Sequence, residues 1–572
     1  MNTTLRHLLA SAACAVLGFA ALHAQTDVHS DNAAGCGFAV FNDGGEARAL
    51  ANTAQQNPAL YQRMIERAKQ GPNRSMLRVA DDIVNTFVIR NRQTDQYDEV
   101  TATLVYQGSR ARIWVDNKDK ANISQTTINS LARGLDSLTP TKSRDAQLSI
   151  ILNDEAVFGR PAPNRFDLSN PDVEDFLLTD IKDNLIGAFV AGFFSPWDQT
   201  DNPGSNRMNI LYIDSHEGLQ GGVPSILNTM AHEYQHLIHY NTNSQSEIVF
   251  NEGCSEVASI LNGYQNRSNN GFLSNTNWPM FGWNSNDGTK VLVDYERAMT
   301  LMHYFTEQCG ERFLTAFNET KTTGMDRVAG ALKAIGDNRD WRDLFSSWVA
   351  ANYMGNFNQP YGYKDRLSNS VPNAFASFTN TSFPDTGSVS LQQYGSAYAV
   401  YTKPGPVRVT FHANQPMRVM AMLYRGGKWV ECWQLESNTE YVIGSYATYD
   451  KVVFGFANLS FNGQTVRWDI NGVALGVDNE SHAANGLSLA EIRPNPATGP
   501  VTLRFTTPVA GDATVQLFDT RGTLVRTIAS GEHFDAGDHE LSINTSDIPS
   551  GAYLVRLIQN GRGVSRSLMV VR

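Results

Sequence analysis

The stretch from Met230 to Ser259, MAHEYQHLIHYNTNSQSEIVFNEGCSEVAS, limits what this chain can fold into more than any other. It carries His232, Glu233 and His236 as H-E-x-x-H, followed by Glu252 and Glu256 in N-E-x-x-S-E. On a helix, residues four apart leave the same face, one turn above the other. Two imidazoles placed in that way can share one Zn²⁺ at ~2.0–2.1 Å, while Glu233 points to the side where water on the metal would lie. A structural site closes its fourth position with another protein ligand, whereas a hydrolytic site keeps that position for water. The fold must therefore bring a third ligand to this helix.

Glu252 is the best candidate. Phe250 to Leu261 reads as a second helix, with Val257, Ile260 and Leu261 apolar behind the polar Asn251, Glu252, Ser255 and Glu256. Glu252 and Glu256 are again four apart and share a face. With Glu252 on the metal, Glu256 lies one turn away and can accept a ring N–H from a ligand histidine, which fixes its tautomer. Asn241 to Val249 is long enough to reverse the chain between the helices. His239, three residues past His236, reads as a supporting or packed residue, and Cys254 as a small packed one.

HEYQH with NEGCSE resembles the gluzincin class of zinc peptidases, to which thermolysin belongs, and most of all its hyicolysin-type branch. The resemblance implies His232, His236 and Glu252 as ligands, Glu233 as catalytic base and Glu256 as support for a ligand histidine. The chain has Glu at 256 where an Asp is usual. A metzincin pattern fails, because its later Gly and His positions hold His239 and Thr242. The family also uses a Tyr or His beyond the third ligand to donate to the oxyanion. Tyr295, His303 and Tyr304 are the candidates, and Tyr295 is preferred.

At 572 residues the chain needs several domains, and a net charge of −11 argues against nucleic acid as a partner. Residues 1–24 read as a signal peptide: Arg6, an apolar run from Leu8 to Leu22, and Ala24 before a cut at Gln25. No other run reaches the ~18 apolar residues of a membrane span, so no integral segment is expected once the signal is gone. Residues 25–76 are polar, with one helix expected at Pro58–Lys69. They read as a propeptide or N-terminal extension, in which neither a cysteine nor a basic pair marks a switch. Cys36, Cys254, Cys309 and Cys432 remain after signal removal, and no pairing follows from their spacing.

The catalytic domain is expected over 77–360. Asn85–Arg90, Glu99–Gln107 and Ala111–Val115 read as strands, Ser124–Leu138 as a helix, and Gln147–Leu152 and Asn209–Ile213 as short inner strands. Gly187–Asn206 reads as a Phe-, Pro- and Gly-rich loop beside a cleft. Pro224 suits the first turn of the metal helix. A helix at Val293–Gln308 stops at Gly310, and Met325–Ile335 and Trp341–Asn352 are helical. From 375 to 477, five evenly spaced strands (Val407–His412, Met417–Tyr424, Trp429–Leu435, Lys451–Ala457, Thr465–Ile470) predict a β-sandwich. Gly476–Gly486 reads as a linker. In the last module, 487–572, the segments IRPNPATG, VQLFDTRGTLV and IPSGAYLVRLIQNGRGVSRSLMVVR resemble the C-terminal sorting domain of the type IX secretion system of Bacteroidota.

The fold expected is thus an α+β zincin-like catalytic domain followed by two all-β (β-sandwich) modules. The function expected is that of a secreted zinc endopeptidase acting on protein or peptide substrates. Its cofactor is Zn²⁺, with Ca²⁺ kept open as a further ion without assigned ligands. No G-x-M-E-N-like segment marks an aminopeptidase. The sorting segment implies the type IX secretion machinery as partner, and passage through periplasm and outer membrane to the cell surface or medium. The competing reading is a non-catalytic exported surface-binding protein with a structural or vestigial metal site.

Overall fold

The computed structural model describes residues 34–572 except 70–76, 80–81, 265–266, 286, 356–360, 365–371, 375, 380–382, 403–404, 444–448, 473–486, 491, 520–523 and 560–561. The signal peptide and the 476–486 linker lie outside the described residues.

The N-terminal stretch carries more structure than the single helix expected. It forms strand β1 (Ala34–Cys36), a short helix α1 (Phe38–Phe41), α2 (Glu46–Gln56) and α3 (Pro58–Ala68). The Asn57 side chain accepts from the Leu60 amide and Pro58 opens α3, a local start signal for a helix. Ala49, Leu60 and Met64 pack on Val88 and Tyr97, so α2 and α3 lie against the sheet that follows.

That sheet is built from β2 (Leu77–Val79), β3 (Asp82–Asn91), β4 (Gln96–Gln107), β5 (Ala111–Asp116), β6 (Glu174–Thr179), β7 (Phe189–Phe194) and β8 (Ile210–Asp214), together with β1. Its order is β1-β7-β8-β6-β5-β4-β3-β2. β5, β6 and β8 run parallel, β7 is antiparallel to β8, and β1 lies parallel to β7 at the edge. Helices α4 (Gln125–Asp136) and α5 (Ile150–Phe158) connect β5 to β6, and the two motif helices, α6 (Gly222–Asn243) and α7 (Ile248–Leu261), follow β8. One face of α6 places Ile226, Leu227, Met230, Ala231, Tyr234, Leu237 and Ile238 in a common core with Phe194, Leu211 and Ile213. Burying each such aliphatic side chain contributes ~1.5–3 kcal/mol, which fixes the rotation of α6 and leaves its histidines on the other side.

Two elements depart from expectation. Gln147–Leu152 is not a strand: Ser149 caps α5 by accepting from the Leu152 amide, and the helix runs on through Asn153 and Asp154. The 187–206 stretch is not all loop, because Phe189–Phe194 pairs as β7, buried on both faces over most of its length.

Beyond α7 come α8 (Asn270–Ser274), α9 (Gly288–Cys309), α10 (Glu311–Glu319), α11 (Met325–Ala334) and α12 (Trp341–Met354). Residues 376–472 then form sheets of five and four strands around Val409, Phe411, Val419, Phe454 and Trp468, a β-sandwich. The last module packs a three-stranded and a four-stranded sheet around Leu503, Val515, Leu517, Val555 and Leu557. The architecture is therefore an α+β domain followed by all-β modules. No helix among the described residues is long and apolar enough to cross a membrane.

Candidate metal centre

The two motif helices lie side by side and bring the ligand candidates to one point. His232 Nε2 is 3.1 Å from Glu252 Oε2, and His236 Nε2 is 3.3 Å from the same oxygen. A fourth atom joins them from outside the motif: Cys36 Sγ, 3.2 Å from His236 Nε2. All four ligand atoms lie within 4.8 Å of one another and all four residues are buried. Around a tetrahedral Zn²⁺ with bonds of ~2.0–2.3 Å, ligand atoms stand roughly 3.3–3.7 Å apart, so this cluster is compatible with one such ion.

The chemistry of the donors agrees. Glu252 Oε1 and both oxygens of Glu233 are buried without a hydrogen-bond partner. Buried anionic oxygens left without donors are costly, and a cation would offset that cost. For Glu252, burial alone would push the carboxyl up, but His236 and the hydrogen bonds from both histidines outweigh it and hold it at about 2. Burial likewise raises Glu233, partly opposed by His236 and His232. Burial, then the charges of Glu233 and Glu252, push the Cys36 thiol well up.

Support comes from α7. Asn251 Oδ1 lies 3.1 Å from His236 Nδ1. With that oxygen accepting, Nδ1 keeps its proton, so that Nε2 is the nitrogen that could give its lone pair to a cation in the cluster. Ser255 Oγ is also 3.1 Å from Nδ1. Asn251 was legible only as a polar position beside Glu252. Glu256 stands beside His232, but its Oε1 is 3.7 Å from Nδ1, beyond hydrogen-bond length, and accepts from Arg267 Nε at 2.8 Å. His239 is buried outside the cluster, with Nδ1 3.3 Å from Gln235 Nε2 and Nε2 3.3 Å from an Arg327 nitrogen. Burial and then Arg327 hold it well below the usual histidine range. Cys254 is buried and its thiol is pushed up to about 12 by burial. The four cysteines Cys36, Cys254, Cys309 and Cys432 are all free.

Of the three oxyanion candidates, Tyr295 is at the centre. Its ring lies 6.4 Å from that of His232, and its hydroxyl donates to the Cys36 carbonyl at 2.7 Å. His303 faces Glu307, and Tyr304 packs on Tyr363. Strand β7 passes beside Glu233: a Cβ at Gly192 would come within 2.6 Å of Thr229 Cγ2, 2.8 Å of the Tyr212 carbonyl and 3.2 Å of Glu233 Cγ. Only glycine permits that approach. A cleft of about 760 Å³ opens onto the centre, lined among others by Cys36, Phe189, Ala191, His232, Glu233 and Arg267. The sheet edge thus brings Cys36, from the N-terminal stretch, beside His232, His236 and Glu252.

Two comparisons bear on this arrangement. Residues 491–571 match the family described as the secretion system C-terminal sorting domain. The last module is thus the type IX sorting domain, and the chain is exported by that system to the cell surface or beyond. The chain is also 28% identical over 190 residues to the neutral metalloprotease ShpI of Staphylococcus hyicus, covering 31% of this chain and 38% of the relative. It therefore spans well under half the length of that relative. Among solved structures, a mitogen from Yersinia pseudotuberculosis matches with 17% identity over 17% of this chain and 92% of its own, at a TM-score of 0.14. A Faecalibacterium prausnitzii beta-glucuronidase matches with 10% identity over 31% of this chain and 37% of its own, at 0.12. Likenesses that slight carry no argument.

Proposed function

We propose that the α+β domain is a zincin-like gluzincin peptidase: a secreted zinc endopeptidase that hydrolyses internal bonds of extracellular proteins. The observation that carries this reading is that His232 Nε2 and His236 Nε2 both lie within 3.3 Å of Glu252 Oε2, with Glu233 buried beside them and no hydrogen bond to either of its oxygens. A carboxylate with only a structural purpose would have a donor. The partial likeness to a neutral metalloprotease supports the same class.

His232 and His236 would hold the ion through Nε2 and Glu252 through its carboxylate, with Asn251 keeping the His236 tautomer. Bound there, Zn²⁺ supplies a Lewis acid that acidifies water towards a pKa of ~7 and polarises a carbonyl. Glu233 takes the proton of the attacking water and hands it to the leaving amine. The Tyr295 hydroxyl, once free of its present acceptor, donates to the oxygen that gains charge. The cleft of about 760 Å³ that reaches His232 and Glu233 has the size for a stretch of peptide, and the lack of a G-x-M-E-N-like segment supports internal cleavage. Glu233→Gln is expected to keep its metal, measured by mass spectrometry of the element, while casein hydrolysis falls by ~10²–10⁴-fold. Hydrolysis close to that of the parent chain would refute the assigned base.

A closed structural site is the competing reading, and Cys36 in the cluster favours it, because four protein ligands leave no room for water. The origin of that cysteine decides between the two.

A further inference from the structure

We propose that Cys36 binds the metal ion through its thiolate as a fourth ligand, and that the segment around it is a built-in inhibitor which must leave before the site can work. This rests on the peptidase reading above. The cysteine does not stand alone as a signal: three other ligand atoms face it, and Glu252 Oε1 and both Glu233 oxygens lie buried beside it without donors.

The segment takes the positions that a substrate would need. Its thiol sits in the ligand cluster, 3.2 Å from His236 Nε2, as a fourth donor where a hydrolytic site needs a free place. Its carbonyl accepts from the Tyr295 hydroxyl at 2.7 Å, as a substrate carbonyl would. Its backbone pairs with β7, with Gly35 opposite Val190 and Cys36 opposite Gly192, so the sheet edge beside Glu233 is occupied. Without β1, that edge offers unpaired N–H and C=O groups to an extended peptide. One residue thus blocks ligand, donor and edge together.

The seating is specific. The register shifts between Gly35 and Cys36, and such a bulge re-aims a side chain. The Gly37 amide donates to the Gly192 carbonyl at 2.7 Å, and a Cβ at Gly37 would come within 2.6 Å of Val190 Cγ1. The Phe38 amide donates to Cys36 Sγ at 3.2 Å, and the Phe38 ring stacks on His236 at 4.6 Å. Phe41 stacks on Phe193 at 4.0 Å. A purely structural fourth ligand would not need to occupy the substrate edge or the tyrosine donor.

In the step itself, the Cys36 S–H loses its proton to solvent as the sulfur–metal bond forms. On release that bond breaks and the thiolate regains a proton, with no change of oxidation state.

The test uses the full-length chain and its Cys36→Ser variant, each loaded with one equivalent of Co²⁺. Cobalt bound by a thiolate shows a sulfur-to-metal charge-transfer band in the near ultraviolet. The band is expected in the parent and absent in Cys36→Ser, with both binding the ion. If the thiolate holds the site closed in about 99 chains of 100, the variant should turn over substrate roughly 100-fold faster before any processing. The N-terminus of the processed parent should lie beyond Cys36. One equivalent of cobalt without the band would overturn the proposal and leave the peptidase reading standing. A band with Cys36→Ser as inactive as Glu233→Gln would overturn the latch and point to a closed structural site. Failure of both chains to bind cobalt would overturn the two readings together.

Discussion

His232, His236 and Glu252 reach the ligand cluster by a different kind of scaffold from Cys36. The first three sit on two buried helices, near the middle of α6 and in the second turn of α7, and His236 is braced from α7 by Asn251 and Ser255. Cys36 sits on a strand of three residues at the sheet edge, held by one neighbouring strand, two ring stacks, the Tyr295 hydroxyl and packing on Val291. Removing α6 or α7 would dismantle the domain core, whereas removing β1 takes away the edge of the sheet and its small cluster with Val291 and Tyr295. On the proposed reading, durable ligands and a detachable one are thereby separated in the fold, not merely in sequence.

The largest effect that would break this comparison is expected in His236→Ala. It should reduce metal affinity by well over the ~10–100-fold typical of losing a supporting partner, read as metal retained after dialysis. Asn251→Ala keeps every proposed ligand but removes one of the two partners of His236 Nδ1, leaving Ser255, and should cost about 10–100-fold in affinity by competition with a chromophoric chelator. An unchanged affinity would show that the brace is idle. Gly37→Ala alters the detachable segment where it seats on β7. The added methyl meets Val190, Phe193 and Phe41, and should weaken the seating of the segment by about 1–3 kcal/mol. Hydrogen exchange across 34–42 should speed up while α6 stays protected and metal content holds. A loss of metal in that variant would mean that the two sides are not separable.

The helical half of the site was legible because its chemistry is local: four-residue spacings place His232 with His236 and Glu252 with Glu256 before any tertiary contact is known. The Cys36 half was not, because 200 residues separate it from His236 and the link runs through a parallel edge pairing with no sequence signature. The same limit hid β7, where Phe189–Phe194 shows no alternation because both faces are largely covered. At α5 a short apolar run fitted strand or helix equally, and the cue that decides it, the Ser149 cap, is one residue. Glu256 shows the opposite case: its place beside His232 was readable, but Arg267, which takes its carboxylate, was not.

The parallel pairing of β1 with β7 has a consequence for the journey of the protein. While the first strand stays in place, β7 is covered and that flank of the sheet ends in a strand of only three residues, a short edge that offers other chains little template. Shedding the strand outside the cell would turn a sealed flank into a rail for foreign polypeptides, so that safe transit and appetite for substrate are two settings of the same few backbone hydrogen bonds.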